Sequence, residues 1–76
     1  METERTKFVN ELSTRCKNGL IGRFGDRAII YQPKRIAAGR DKLTLARNIG
    51  PKSLREIAWA LYKFGYIDDP GLWLRN

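Results

Sequence analysis

The stretch GPKSLREIAWALYKFG, residues 50–65, constrains the fold of this 76-residue chain more than any other. Leu54, Ile57, Ala58, Leu61 and Phe64 recur at spacings of three and four and share one side of a helix. Proline has a preset φ and lacks an amide that the first helical turn would leave unpaired. Pro51 therefore predicts the start, with Gly50 as N-cap and Lys52 and Ser53 in an exposed first turn. A rival start has Ser53 as cap and Glu56 closing a capping box. Gly65 predicts the stop, in the left-handed conformation glycine permits. A helix with one apolar stripe must bury it, and the rest of the chain supplies mainly further helical patterns.

Phe8, Val9, Leu12, Cys16 and Leu20 predict a first helix over residues 7–21, with Thr6 as N-cap and Gly19 and Gly22 bracketing its end. Residues 1–6, METERT, hold no strong apolar side chain and are expected to form a flexible arm, ahead of a single domain over 7–76. Ala28-Ile29-Ile30-Tyr31 has the composition of a strand, but no second strand pattern exists to pair with it. It reads instead as a buried irregular segment or a single helical turn, ending before Pro33. Pro33 then opens a short helix through Ile36, Ala37 and Ala38 that stops at Gly39. Asp41 is expected to cap the next helix, with Leu43, Leu45 and Ala46 as its apolar contacts. In the tail, Tyr66, Ile67, Leu72, Trp73 and Leu74 are expected to fold back onto the helices. The expected fold is all-α, a compact bundle of four to five short helices with a helix-hairpin-helix over residues 41–65.

Chemistry is bounded by what is missing. There is no histidine and one cysteine, Cys16, so an internal disulfide is excluded and a zinc site would have to rely on carboxylates. The commonest general base and every Ser-His or Cys-His nucleophile are absent, and the chain is not expected to be an enzyme. No cofactor, metal or small-molecule substrate is expected. No apolar run approaches the roughly 18 residues of a membrane span, and no signal-peptide pattern opens the chain, so a cytoplasmic protein is the default.

Charge points to a partner. The net charge is +7, and between Arg15 and Arg55 eleven basic residues face only Asp26 and Asp41. A field this lopsided attracts polyanions, nucleic acid above all. The turn into the last helix offers such a ligand a place to sit: unpaired N–H groups and the positive end of the helix dipole make an anion site. Gly50 has no side chain to hold a phosphate away, and Lys52 and Ser53 can each add a hydrogen bond. Asn48 and Gly50 also suit the turn itself. On the first helix Arg15 and Asn18 share the face turned away from Phe8, Leu12 and Cys16. Arginine and asparagine can reach into a minor groove, where A·T tracts favour a guanidinium. The bland alternative is a surface ion pair between Arg15 and Glu11.

Two motifs carry a resemblance. ELSTRCKNGL, followed about thirty residues later by RNIGPKSLREI, resembles the C-terminal domain of the bacterial RNA polymerase α subunit across roughly residues 10–67. That resemblance implies a helix-hairpin-helix domain binding the minor groove of A·T-rich DNA. The family's groove arginine falls on Arg15 and its asparagine on Asn18. Gly19 stands where the family commonly has cysteine, so a backbone contact is expected to remain there. The hairpin positions fall on Gly50, Lys52, Ser53 and Glu56, and Asn48 joins the expected DNA contacts. Glu11 matches an acidic position that in the family lies on a surface meeting a σ factor. The segment from Ile21 to Arg40 departs from the family pattern. Because the chain begins at Met1 without an assembly domain or linker, it is expected to be a free-standing relative, such as a small transcription regulator of a phage or mobile element.

The competing function is a protein-interaction module that binds RNA polymerase, a σ factor or an activator through Glu11 and Trp59. Trp59 lies away from the apolar stripe of its helix, and the Tyr66–Leu74 tail is expected to cover it. RNA binding through the same phosphate clamp is a third reading.

Overall fold

The computed structural model describes residues 4–44 and 49–75. Along that span run α1 (Glu4–Glu11), α2 (Thr14–Phe24), a 3₁₀ helix (Arg27–Tyr31), α3 (Pro33–Ala38), α4 (Arg40–Thr44), α5 (Pro51–Lys63) and α6 (Pro70–Arg75). No strand occurs among the described residues, and the fold is all-α. The described residues form six α-helices where four to five were expected, because the first predicted helix is two and the tail forms α6.

The division falls at Ser13. Its backbone is extended, at φ −68° and ψ 161°, and its hydroxyl accepts the Cys16 N–H at 3.2 Å. That is an N-cap satisfying one of the four amides a helix start leaves open. Phe8, Leu12, Cys16 and Leu20 are all buried, so the apolar periodicity continues across the break and conceals it. At the near end α1 begins at Glu4, so residues 4–6 are helical rather than part of an arm, and Thr6 is not a cap. Residues 1–3 lie outside the described residues. At the far end α2 continues through Gly19 and Gly22 and stops at Gly25, which takes φ 66° and donates its N–H to the Ile21 carbonyl at 2.8 Å. A glycine weakens a helix interior by only about 1 kcal/mol, less than the burial of Leu20 returns.

The segment of strand-like composition is the 3₁₀ helix. Asp26 caps it, accepting the Ala28 N–H at 2.9 Å and the Arg35 guanidinium at 3.1 Å. Of the expected buried residues there, Ile29 is fully buried, Ile30 half-buried and Tyr31 exposed. α3 occupies the expected positions between Pro33 and Gly39. Gly39 has an ordinary φ of −93°; the requirement is space, since a Cβ there would stand 2.8 Å from the Phe24 ring. Asp41 is not the cap of α4 but lies inside it, paired with Arg40 at 3.0 Å, while the Gly39 carbonyl accepts the Lys42 N–H. Leu45 and Ala46 fall outside the described residues.

α5 follows its punctuation. Gly50 is the N-cap and Pro51 the first helical residue. At the other end the Tyr66 N–H reaches the Leu61 carbonyl at 2.8 Å and the Gly65 N–H reaches Tyr62 at 3.0 Å, with Gly65 at φ 79°. These two bonds make a Schellman motif. The core joins Phe8, Leu12, Cys16, Leu20, Ile29, Ile36, Leu43, Ile49, Ile57 and Leu61 into one cluster. Tyr66, Ile67 and Trp73 return to it from the tail. Trp73 fastens the return, its indole N–H donating to the Ala37 carbonyl at 3.1 Å and its own carbonyl accepting from Arg40 at 3.2 Å. Leu72 does not join them and is 56% exposed. No described helix is long and apolar enough to cross a membrane.

Candidate nucleic-acid interface

α2 and α5 are joined where the two sequence motifs meet. The Glu56 carboxylate accepts the Ser13 N–H at 3.0 Å, the Ser13 hydroxyl at 3.1 Å and the Cys16 thiol at 2.9 Å. The thiol also lies 3.5 Å from the Ser53 carbonyl. A carboxylate is thus seated at the N-terminus of α2, where the helix dipole favours negative charge. The thiol's hydrogen bond to Glu56, with further bonds from Ser13, holds that carboxyl below the usual carboxylate range. Burial, reinforced by the carboxylate beside it, pushes the Cys16 thiol up, so it stays protonated and donating.

This clamp corrects two expected roles. Glu56 does not close a capping box on α5; its partners are Ser13, the cap of α2, and Cys16 within α2. Ser53 is not part of an exposed first turn but is 7% exposed, pressed against Cys16. Among the described residues no side chain caps the α5 N-terminus beside it. Gly50 provides no side-chain cap, and the first amides after Pro51, those of Lys52 and Ser53, have no intrahelical acceptor by helix geometry. Gly50 is exposed, and a Cβ added there would meet nothing within 4 Å. Neither its φ of −82° nor its surroundings require glycine. Lys52 is exposed next to it.

Arg15 is also exposed, one residue from the Cys16 contact, and Asn18 is exposed one turn further along α2. The ion pair between Arg15 and Glu11 does not form. Glu11 binds Lys63 at 2.8 Å instead, and Arg15 has no ion pair among the described residues. Gly19 is buried. Asn48 lies outside the described residues. The junction therefore brings the exposed Arg15 and Lys52 within one residue of the two sides of a single helix–helix contact.

Trp59 departs from expectation in the other direction. It is 56% exposed rather than covered by the tail, and it meets the exposed Tyr62 edge to face at 5.7 Å between ring centroids. Sequence reasoning missed Ser13 and Cys16 as the clamp. A serine heading a helical run was the available signal for the first, and nothing local marks the second. Among the described residues no group of three or more His, Cys, Asp or Glu side chains could hold a metal ion. Scans of family models and searches of curated proteins and solved structures return no match to this chain, so the interface rests on its own residues.

Proposed function

We propose that this protein is a small cytoplasmic DNA-binding module, a transcription regulator that takes A·T-rich duplex from the minor-groove side. Arg15 enters the groove with Asn18 beside it. The α5 amides, Gly50 and Lys52 hold phosphates, and Glu56 and Cys16 fix the two helices at the required spacing. The observation that carries this reading is Arg15 itself, exposed and without an ion pair among the described residues, beside a clamp that ends at a helix N-terminus with no side-chain cap from Gly50. The resemblance to the RNA polymerase α C-terminal domain assigns the same positions to DNA. A σ-facing role for Glu11 is less well supported, because Lys63 already occupies that carboxylate.

Titration of labelled A·T-rich and G·C-rich duplexes tests the proposal. With about four phosphates neutralised, raising salt from about 50 to about 200 mM weakens binding about a hundredfold. Lys52→Ala weakens both duplexes alike and lowers the salt slope by about one, since a phosphate contact reads no sequence. Its circular dichroism matches the parent. Binding that ignores salt, or a Lys52→Ala protein that binds like the parent, removes the electrostatic basis of the reading.

A further inference from the structure

One face of α5 is unused by the duplex reading beyond its first turn. Lys52, Arg55, Trp59, Tyr62 and Lys63 are all exposed and share that face at helical spacing. The one carboxylate of α5, Glu56, is turned to α2. Lys63 is shared with Glu11 but keeps 60% of its side chain in solvent. The result is a cationic strip carrying two aromatic rings.

We infer that this face binds single-stranded DNA, with an unpaired base stacked on Trp59 or Tyr62 and the phosphates on either side held by Lys52 and Arg55. A strip of cations interrupted by exposed aromatic rings is the arrangement single-strand binders use, because every base has a π-face and every linkage a charge. Duplex DNA does not satisfy it: stacking hides the faces of paired bases, so only Lys52 has a role there. Charge complementarity selects a polyanion. The rings meet at 83°, so they offer two non-parallel faces, and the site takes one or two bases rather than a long stacked run. Lys52 and Trp59 are seven residues apart, about 10 Å along the helix, which places a phosphate contact and a base contact on one short stretch of strand.

The test uses the full chain with a labelled oligothymidine of about twelve nucleotides, which forms no duplex. Binding is followed by anisotropy and by tryptophan emission. The parent binds it with saturable quenching, and Trp59→Phe removes that quenching, because Trp73 is on α6 and fastened to Ala37. Trp59→Ala weakens oligothymidine about fivefold or more and leaves A·T duplex affinity unchanged, while Trp59→Phe keeps most of the single-strand affinity. Unchanged oligothymidine affinity in Trp59→Ala overturns the inference. So does an equal loss on both ligands in Arg15→Ala, which would reduce the two sites to one, and so does an oligouridine bound more than tenfold tighter, which would make RNA the occupant. Self-association that Trp59→Ala abolishes, without single-strand binding, would make the face a dimer contact. Loss of duplex binding with oligothymidine binding retained leaves this inference standing and removes the duplex reading.

Discussion

Glu56→Ala lowers the thermal midpoint by roughly 8–16 °C, from a stability loss on the order of 2 kcal/mol. Three donors lose their acceptor at once: the Ser13 amide, the Ser13 hydroxyl and the Cys16 thiol. The thiol belongs to a fully buried residue, so water replaces the carboxylate poorly there. The two Ser13 donors are exposed, and for them water can take the place of the carboxylate. In a domain of this size total stability is roughly 4–11 kcal/mol, so the loss is a large fraction of it. The pH dependence has a definite sign. Because the folded carboxyl titrates below its unfolded value, its contribution is fully present above the ordinary carboxylate range and is lost as pH falls through the folded value. Glu56→Gln, without that ionisation, flattens the acid side of the stability profile. Cys16 should also react faster with a thiol reagent in Glu56→Ala, since the clamp that covers it has opened. A midpoint within a degree or two of the parent would return Glu56 to the role of a ligand contact.

The same residue shows where a sequence can and cannot be read. Glu56 and Ser53 satisfy the spacing of a capping box, a rule about neighbours in one helix, yet the carboxylate bonds Ser13, 43 residues away. Nothing local reports that distance. α5 was legible because three independent signals agree: Pro51 at the start, Gly65 at the stop, and the stripe between them. α1 and α2 were not, because burial follows the same side of both helices across Ser13, and periodicity registers burial rather than continuity. Gly22 and Gly25 are chemically identical stop signals; only the backbone at Gly25 takes the left-handed turn. For the interface, the exposure of Arg15, Asn18, Gly50 and Lys52 could be read from helix faces, whereas the burial of Ser53 depends on which helix packs against it. Trp59 was misread for a related reason. The tail does fold back, but Trp73 ties it to α3, and the outer face of α5 stays open.

Arg15→Ala should weaken A·T-rich duplex by roughly 5- to 150-fold, about 1–3 kcal/mol, and G·C-rich duplex clearly less. The asymmetry is the informative part. A narrow A·T minor groove concentrates negative potential, and a guanidinium placed there gains more than in the wider groove of G·C sequence. A phosphate contact would gain equally from both. Among the described residues no ion pair of Arg15 has to be broken first, because Glu11 is held by Lys63. For the same reason the substitution leaves the thermal midpoint unchanged, which separates it from Glu56→Ala. Arg15→Lys recovers only part of the loss, since an ammonium is more strongly hydrated and lacks the planar donor fork. Netropsin, which occupies the minor groove, competes with the parent protein. Equal losses on the two duplexes would reduce Arg15 to a phosphate contact, and no loss on either would show that the exposed face of α2 is not where DNA binds.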